Sequence, residues 1–461
     1  MTGWIRTVPG EEEALVIALG LKDVEELFAD VPRKVRLGRM GVGPGHEEAA
    51  LVRAVDKILE RNRPLSKFSS FVGGRIASRF VPAAVDAIIS RSEFYTAYTP
   101  YQPEASQGLL QSLFEFQSLW VELTGMDAAN ASMYDGATAM GEALLLCHRL
   151  HEGHRFLIPA SLPWEEKSVL HNYAAGFPVQ IDEIPFDPST GRVNLDWLRA
   201  EVGKGDVFGV LLDLPNGFGH LDEGLFEAKS LIGDVPYVVA ADPLALTAVE
   251  PPGSYGADIV VGEGQGFGGA PNFGGPLLGL FACRQEHLHY SPGRIVGATQ
   301  DASGRRAFTL TLQTREQHIR RSRATSNICT NQSLLALAFV SYASVVGPKG
   351  LASLQRKLAE KARTLSSALA GIDGIASPRF EAPYLGEFTL EVKRGTASAF
   401  LDGLRRRKVL GGAPLADPRP GAAHLNGELV LVAPTEASDE KDIQRYARAA
   451  RAVAASLGGA K

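Results

Sequence analysis

Few cysteines occur in this chain, and they are widely separated. Cys147, Cys283 and Cys329 are the three in 461 residues. Thiols so few and so scattered cannot form the disulfide framework of a small secreted domain or the paired ligands of a zinc knot. Free cysteine is among the most frequently buried residue types, so we expect three buried, neutral thiols and no metal site.

Long apolar runs and blocks of one charge are also missing. The longest nearly uninterrupted apolar stretch, residues 334–346, contains two serines and is too short to cross a bilayer. The N-terminus lacks the basic-then-apolar pattern of a signal peptide, and acidic residues appear from Glu11. The net charge is −5, and the basic residues do not gather into one long block that could follow a phosphate backbone. We therefore expect a cytoplasmic protein that binds neither a membrane nor nucleic acid.

The length of 461 residues exceeds the usual size of a single hydrophobic core, so we expect more than one domain. Residues 1–75 have apolar positions at helical spacing, broken by a proline and a glycine-rich turn, which favours an N-terminal helical arm. Residues 76–323 alternate apolar strands with helical patterns, which indicates a large α/β domain. Residues 324–461 have two long helices, then amphipathic strands and a final helix, so we expect a smaller α+β C-terminal domain.

Periodicity and terminators predict individual elements of these domains. A long amphipathic helix is expected over residues 107–123, with Gly125 as its C-terminal glycine. Near-continuous apolar runs are typical of strands covered on both faces of a parallel sheet, and they occur at 155–159, 207–212, 237–241 and 258–261. Helices are expected between them at 164–173, 195–202 and 223–231. The C-terminal domain should contain helices at 331–346 and 350–371, strands at 387–392 and 428–432, and a helix from Glu440.

A glycine-rich segment, GEGQGFGGAPNFGGP at residues 262–276, lies directly behind the apolar strand predicted at 258–261. A nucleotide or cofactor site is expected at such a position. Gly264, Gly266 and Gly269 match the G-x-G-x-x-G dinucleotide fingerprint, which works only where a helix begins and points its N-terminus at the pyrophosphate. The prolines and paired glycines disfavour a helix, and no Gly-Lys-Ser/Thr follows, so we expect neither a dinucleotide site nor a P-loop.

Lysine is absent from one long stretch of the chain, since none occurs between Lys229 and Lys349. Pyridoxal-phosphate enzymes of the aspartate-aminotransferase-like class place an aspartate at the end of one strand, for the pyridinium nitrogen, and a Schiff-base lysine one strand later. Asp242 stands at the aspartate position here, and Gln265 or Gly266 stands where the lysine should be. Without that amine, covalent catalysis through this pocket is not available to this chain, and we expect these three residues to mark a vestigial cofactor pocket.

Several long blocks of the sequence resemble one family. They are RSEFYTAYTPYQPEASQGL (91–109), FEFQSLWVELTGMDAANASMYDGATAMGEA (114–143), YGADIVVGEGQ (255–265) and REQHIRRSRATSNICTNQ (315–332). These blocks are similar to subunit 1, the N-terminal or alpha half, of the glycine dehydrogenase (decarboxylating) P-protein of the glycine cleavage system. The resemblance implies an aspartate-aminotransferase-like fold (fold type I pyridoxal-phosphate-dependent transferase). In that family the second half carries the lysine and the cofactor, and the first half has lost the lysine.

The resemblance also implies an activity and partners. The chain would be the non-cofactor-binding subunit of a heteromeric glycine decarboxylase, inactive alone. With its pyridoxal-phosphate-bearing partner, P-protein subunit 2, it would decarboxylate glycine and pass the aminomethyl group to the lipoyl arm of H-protein. Pyridoxal 5'-phosphate would then belong to the partner subunit, with none bound covalently here. A two-plus-two heterotetramer is expected from closed symmetry.

Two of the similar blocks predict contacts with partners. In this fold class the dimer partner normally completes each active site, so we predict that residues 92–107 approach the partner's cofactor pocket. The side chains predicted for this role are Tyr95, Thr96, Tyr98, Tyr101, Gln102 and Glu104. Tyrosine is enriched both in interfaces and in sites that need a polar tip, so an ordinary packed interface is the alternative.

The last similar block is rich in arginine. Arg315, His318, Arg320 and Arg321 are candidates for contacting an anion, either the cofactor phosphate across the interface or the acidic face of the lipoyl-bearing partner. A solvated or salt-bridged helix surface is the alternative interpretation. His318 has no sequence-adjacent group that would make it a catalytic base, so we expect it to be structural.

The chain departs from the family pattern at one loop. The family reads close to F-L-G-A-G-x-Y-D-H-Y-x-P, whereas residues 71–82 read FVGGRIASRFVP, with Arg75 and Arg79 and without the Asp-His-Tyr triplet. If this loop touches substrate, the specificity has changed, so a paralogue that decarboxylates another small amino acid is a second hypothesis. A purely structural or regulatory subunit is a third. A stand-alone enzyme with a noncovalently bound cofactor is a fourth.

Overall fold

The computed structural model describes residues 8, 10–37, 41–43, 45–98, 100–416 and 427–458. The α-helices in these residues are α1 (Glu11–Ala18), α2 (Glu48–Leu59), α3 (Ala83–Ile89), α4 (Ser92–Tyr95), α5 (Gln107–Thr124), α6 (Gly136–Leu150), α7 (Trp164–Ala174), α8 (Leu195–Val202), α9 (Gly224–Ile232), α10 (Gln317–Arg320), α11 (Ser333–Ala370), α12 (Ala397–Arg406) and α13 (Glu440–Gly458). The strands are β1 (Ser69–Ser70), β2 (Ala128–Ala129), β3 (Arg155–Pro159), β4 (Gln180–Ile184), β5 (Val207–Leu214), β6 (Tyr237–Ala241), β7 (Ile259–Glu263), β8 (Gly279–Cys283), β9 (Ile295–Gln300), β10 (Arg306–Thr311), β11 (Ile375–Ala376), β12 (Phe388–Val392), β13 (Val409–Leu410), β14 (Ala413–Pro414) and β15 (Glu428–Val432).

The chain divides into two compact units, Met1–Arg63 and Pro64–Lys461. The first unit contains α1, α2 and two short 3-10 helices. No residue of α2 is buried, and Leu51, Val55 and Ile58 are 49%, 41% and 64% exposed. An amphipathic helix with an exposed apolar face is typical of a protein contact. The predicted boundary at residue 75 lies inside the second unit, and the three-part division of the chain stays a prediction.

A seven-stranded sheet with the order β2-β8-β7-β6-β5-β3-β4 forms the centre of the second unit. The strands β3 to β7 run parallel, and β8 is antiparallel to both β7 and β2. Every residue of β5, β6 and β8 is buried, which accounts for the near-continuous apolar runs in the sequence. The four predicted strands of the large domain are confirmed, and so are α7, α8 and α9 between them. No helix begins in the glycine-rich segment, as predicted.

Glycines end two of the long helices where the sequence predicts. Gly125, with φ 66°, ends α5. Gly347, with φ 69° and ψ 166°, breaks α11 into the two predicted helices. An 18-residue window of α11 is apolar enough to cross a membrane, with mean hydropathy 1.5, but 44% of that window is buried inside the protein. Phe339 and Tyr342 of this helix lie in the main hydrophobic core, so packing accounts for its apolar character.

A second, antiparallel sheet has the order β11-β12-β15-β14. Its core contains Phe388, Phe400 and Tyr446, which are fully buried. Phe71 belongs to the same core, where its ring meets the ring of Tyr446 edge-on at 4.9 Å. In addition, β1 pairs in parallel with β13. The start of the 71–82 loop is therefore anchored on the C-terminal layer of the protein.

The cysteines divide into two buried thiols and one exposed thiol. Cys147 on α6 and Cys283 on β8 are buried, as expected, and burial raises the pKa of both thiols, that of Cys283 to about 12. The expectation of burial is wrong for Cys329, which is exposed. It lies in the irregular segment before α11, whereas the other two lie on elements of the large sheet and its helical cover.

Candidate functional site

A cleft opens at the carboxyl ends of the parallel strands, which is where open α/β sheets bind ligands. It encloses about 740 Å³ of space not filled by protein, part of it open to solvent. Asp242 follows β6 and Gly266 lies in the turn after β7, and both line this cleft. The 71–82 loop contributes Arg75 and Arg79 to the lining. The structure thus brings two of the three residues predicted for a vestigial cofactor pocket into one cleft.

The side chain of the third residue, Gln265, links two loops by hydrogen bonds. Its side-chain oxygen accepts a hydrogen bond from the backbone of Ala77 at 3.1 Å, and its amide donates to the carbonyl of Gly269 at 2.5 Å. A side chain at position 266 would instead enter the cleft. The atoms nearest to a Cβ placed on Gly266 belong to the side chain of Arg79, at 3.7 Å. Of the two positions predicted for the missing lysine, position 266 is the one that lines the cleft.

Carboxylates of the chain itself bind the N-terminus of α6, which borders the inner part of the cleft together with Asp242. Asp135 caps the helix by accepting a backbone N–H of the first turn at 2.7 Å. Glu263 accepts the N–H groups of Gly136 at 3.0 Å, Gln265 at 2.9 Å and Leu278 at 3.0 Å. Burial raises the pKa of Glu263 to about 7, although these three donors oppose the shift. The anion site that a helix N-terminus offers is therefore occupied from within.

Arg75 is paired with two buried carboxylates beside the same cavity. Its guanidinium lies 3.0 Å from Asp213 and 3.1 Å from Glu166, and it also donates to the carbonyl of Pro215 at 3.3 Å. Burial alone would lower the pKa of Arg75, but the two carboxylates raise it, so the arginine stays charged. Its backbone has φ 75°, a left-handed conformation that favours the glycine of the family pattern. The ion pairs offset this backbone strain.

Arg79 is paired at the mouth of the cleft. Its guanidinium lies 3.3 Å from one oxygen of Glu436, and the other oxygen accepts from the backbone of Phe80 at 2.6 Å. Nearby, Glu387 accepts from the backbone of Gly74 at 3.1 Å, and burial raises the pKa of this carboxyl. Both arginines that distinguish the 71–82 loop from the family pattern are therefore ion-paired inside this chain and offer no free charge to a substrate.

The residues of the cleft do not fit pyridoxal phosphate. That cofactor needs a lysine amine, a carboxylate for its ring nitrogen and N–H donors for its phosphate. Asp242 supplies a carboxylate, which accepts from the backbone of Leu244 at 2.9 Å. No lysine lies in the turn after β7, and Glu263 and Asp135 accept the N–H groups of Gly136 and Thr138 at the start of α6. Among the described residues no three His, Cys, Asp or Glu side chains are grouped to hold a metal ion.

The segment predicted to meet the partner subunit is exposed. Its predicted contact residues Tyr95, Thr96, Tyr98, Tyr101, Gln102 and Glu104 are all exposed, the three tyrosines by 69%, 78% and 48%. Tyr101 is tied to the rest of the protein, because its hydroxyl accepts from Arg294 at 3.0 Å and its ring meets the ring of His318 at 5.5 Å. Exposed tyrosines close together in the chain are typical of a surface that binds another protein.

The four residues predicted to contact an anion separate into two groups. Arg315 is 8% exposed, and its guanidinium donates to two backbone carbonyls, so it holds the fold together here. Arg320 and Arg321 are exposed. The side chain of His318 is 39% exposed and packs against Tyr101. Three of the four thus lie at the surface, and one of these meets the predicted partner-facing segment.

Arg294, which the sequence analysis missed, joins the segment predicted to face the partner to the arginine-rich block 315–332. It is 4% exposed and donates to the hydroxyl of Tyr101 at 3.0 Å, to the carbonyl of Cys329 and to the side chain of Asn331 at 3.4 Å. Its Nε lies 3.8 Å from a carboxylate oxygen of Glu316. The guanidinium also lies over the Tyr101 ring, 5.3 Å from its centre. A lone arginine before β9 matches no motif, so only the fold shows this convergence.

Glu142 on α6 makes stability depend on pH. It is 3% exposed, one of its oxygens has no hydrogen-bond partner among the described residues, and burial raises its pKa from 4.5 to about 7, against the opposing effects of Ser326 and Arg149. Between these values the folded state holds a proton that the unfolded state lacks, so the free energy of unfolding falls as pH rises. As pH rises, the free energy of unfolding of Glu142→Gln should fall by up to about 3 kcal/mol less than that of the wild type.

Urea unfolding at about pH 5 and about pH 8 measures this contribution as the difference in stability between the two conditions. Glu122→Gln on α5 is the matched control, because Glu122 is exposed. We expect the control to keep the wild-type difference. The same difference in Glu142→Gln would contradict the prediction.

Comparison with known proteins gives the family. The profile of the family described as glycine cleavage system P-protein matches residues 4–399. A protein named probable glycine dehydrogenase (decarboxylating) subunit 1, from Thermoplasma acidophilum, is 41% identical over 405 residues, 87% of this chain and 92% of that protein. Proteins of the same name from Moorella thermoacetica and Chlorobium chlorochromatii are 44% identical over 398 residues and 40% identical over 460 residues. These matches cover 86% and 98% of this chain, and 88% and 100% of the two proteins.

Solved structures give the same result. The crystal structure of glycine decarboxylase (P-protein) of the glycine cleavage system, in inhibitor-bound form, has a TM-score of 0.86 at 34% identity, covering 98% of this chain and 100% of that chain. Sphingosine-1-phosphate lyase from Burkholderia pseudomallei and cysteine desulfurase from Thermococcus onnurineus share the fold, with TM-scores of 0.64 and 0.63 at 14% identity, covering 93% and 87% of this chain and 95% and 98% of theirs. The predicted fold type I architecture is confirmed. The chain belongs to the glycine cleavage system P-protein family.

Proposed function

We propose that this chain is the subunit without pyridoxal phosphate of a two-subunit glycine decarboxylase. The observation that carries the proposal is glycine, rather than lysine, at the cleft position of a chain that resembles the P-protein along most of its length. Decarboxylation of glycine through pyridoxal phosphate then needs the amine of another chain. The required partner is the pyridoxal-phosphate-bearing subunit 2, and this chain alone is inactive.

In the proposed complex this chain binds its partner and completes the partner's site. The exposed tyrosines at 95, 98 and 101 approach the partner's cofactor pocket. Arg320, Arg321 and His318 supply positive charge or hydrogen bonds to an anion, either the cofactor phosphate or the acidic face of H-protein. The lipoyl arm of H-protein receives the aminomethyl group of glycine at that site. Exposure of these side chains in the isolated chain supports this arrangement.

The assembly we propose is a cytoplasmic heterotetramer with two copies of each subunit. The exposed apolar face of α2 supports a stable protein contact, because such a face is costly to leave in water. Closed twofold symmetry then pairs two copies of each subunit. In this assembly the pocket around Asp242 of this chain is a pseudo-active site.

Reconstitution from separately purified subunits tests the proposed function. We expect no glycine-dependent exchange of carbon dioxide with either subunit alone, and exchange when both are mixed with pyridoxal phosphate and H-protein. The visible absorbance of bound cofactor should belong to the partner alone. Full activity of either isolated subunit would contradict the proposal. Exchange with another small amino acid but not with glycine would favour the second hypothesis, a paralogue of changed specificity.

Tyr98→Phe distinguishes a segment that completes the site from a passive interface. The change keeps the ring but removes the hydroxyl of a side chain that is 78% exposed in the isolated chain. We expect turnover of the complex to fall by roughly tenfold, the effect of losing one hydrogen bond in the transition state, while the subunits still associate. Tyr290→Phe, outside the segment and 47% exposed, is the matched control. Unchanged turnover with unchanged assembly would assign Tyr98 to packing alone.

A further inference from the structure

Three backbone donors near the N-terminus of α6 converge on one carboxylate. The N–H groups of Gly136, Gln265 and Leu278 lie 2.9 to 3.0 Å from the oxygens of Glu263. Backbone donors that converge in this way, at the positive end of a helix dipole, form the usual binding site of a phosphate group. Here the anion in that site is part of the chain.

Glycine at position 136 permits this close approach. A Cβ at Gly136 would lie 3.1 Å from the Cβ of Glu263 and 3.3 Å from its backbone nitrogen. The first turn of α6 therefore has Glu263 on one side and the capping Asp135 on the other. A phosphate dianion entering here would have to displace one carboxylate and would be repelled by the second.

The inner cavity beside Asp242 is lined by a cation that also belongs to the chain. Arg75 lines the same inner cavity as Asp242 and Gly136. Its guanidinium is planar and positively charged, as a protonated pyridine ring is, and Asp213 and Glu166 hold it in place. Glu166 still has one buried oxygen without a hydrogen-bond partner among the described residues. The cavity therefore already has a carboxylate oxygen that no described donor satisfies, and another anion would add to this excess of acceptors.

We infer that Glu263 and Arg75 are built-in replacements for a cofactor, Glu263 for its phosphate and Arg75 for its cationic ring. This chain then excludes pyridoxal phosphate even when a lysine is present. The inference goes beyond the proposed function, in which the missing lysine alone accounts for the absence of covalent binding. It does not depend on glycine as the substrate. The ion pairs of Arg75 and Arg79 also hold the 71–82 loop, which leads toward the partner-facing segment.

Gly266→Lys tests exclusion directly, because it returns an amine to the cleft and leaves Glu263 and Arg75 unchanged. The probe is pyridoxal phosphate at about pH 8, above the pKa of Glu263. The readouts are visible absorbance and the cofactor retained after gel filtration of the full chain. We expect the variant to retain no more cofactor than the wild type does. Stoichiometric retention by Gly266→Lys, or by the wild type, overturns the inference.

Glu263→Ala tests the phosphate replacement without a lysine and without any activity. The probe is inorganic phosphate, and the readout is the melting temperature compared with chloride at equal ionic strength. We expect phosphate to stabilise Glu263→Ala, because the N–H group of Gly136 at α6 and those of Gln265 and Leu278 beside it become free, and to leave the wild type unchanged. Glu387→Ala is the matched control, since it removes a carboxylate of the same cleft but frees only the N–H of Gly74.

Three results would overturn the assignment of Glu263. They are a phosphate-specific shift in the wild type, no shift in Glu263→Ala, and equal shifts in the two alanine variants. Circular dichroism shows whether Glu263→Ala folds. If it does not, retention by Gly266→Lys still decides whether the cleft excludes the cofactor.

Discussion

Replacing Arg75 with methionine should lower the free energy of unfolding by about 3–5 kcal/mol. Methionine keeps much of the aliphatic volume, but it leaves the carboxylates of Asp213 and Glu166, whose side chains are 1% and 9% exposed, without their cation. A buried charge that has lost its partner costs more than the intact pair contributes. Urea unfolding of the wild type and the variant measures the loss.

The loss should be greater at high pH, because of Asp213. Burial raises the pKa of Asp213 to about 7, against the opposing charge of Arg75, so removal of that charge raises the pKa further. Its folded-state pKa then lies well above the unfolded value of 3.8, and stability is lost as pH rises through the folded pKa. Arg75→Met should therefore be closer to the wild type at about pH 5 than at about pH 8.

Two further variants separate charge from geometry. Asp213→Asn in the Arg75→Met background removes one uncompensated charge and should recover part of the loss. Arg75→Lys keeps the charge but loses the planar fork that reaches both carboxylates, so its stability should lie between the wild type and Arg75→Met. If Arg75→Met is as stable as the wild type at both pH values, the ion pairs contribute nothing net to stability.

The fold could be predicted where burial leaves a simple pattern. The strands β3, β5, β6 and β7 are buried on both faces, so their sequences are nearly continuous apolar runs. The hairpin of β9 and β10 was missed, because burial is partial there and the outer half of β9 is exposed. The residues of β9 follow neither a continuous nor a strictly alternating pattern, and β10 alternates only over residues 308–311, too short a stretch to stand out.

The candidate site could be predicted only where residues follow strands directly. Asp242 and the 265–266 position come after neighbouring strands, so an edge of one sheet brings them together. Contacts between distant parts of the chain leave no local signal. Arg75 and Asp213 are 138 positions apart, and Arg294 and Tyr101 are 193 positions apart. The presence of Arg75 was visible in the sequence as a departure from the family pattern, but its two partners were not.

Arg294→Met should lower the turnover of the reconstituted complex on the order of a hundredfold, since small misplacements of groups around an active site have effects of this size. Arg294 donates to the hydroxyl of Tyr101, lies over its ring, and also binds the segment before α11. We therefore assign it as a positioning residue for the segment proposed to complete the partner's site. Tyr101→Phe removes only one of these contacts and should lower the turnover by a smaller factor.

Two measurements show whether Arg294 positions the site or only stabilises the fold. They are the separate effects of Arg294→Met on kcat and on KM, and the recovery of turnover by Arg294→Lys. A positioning role predicts a lower kcat for the assembled complex with subunit association nearly unchanged, although the loss of a buried cation beside Glu316 also lowers the melting temperature. Arg294→Lys should recover part of the turnover, because an ammonium can still donate to Tyr101 or to the carbonyl of Cys329. If Arg294→Met weakens association while each assembled complex turns over at the wild-type rate, the residue is structural. The Tyr101 segment would then be an ordinary interface.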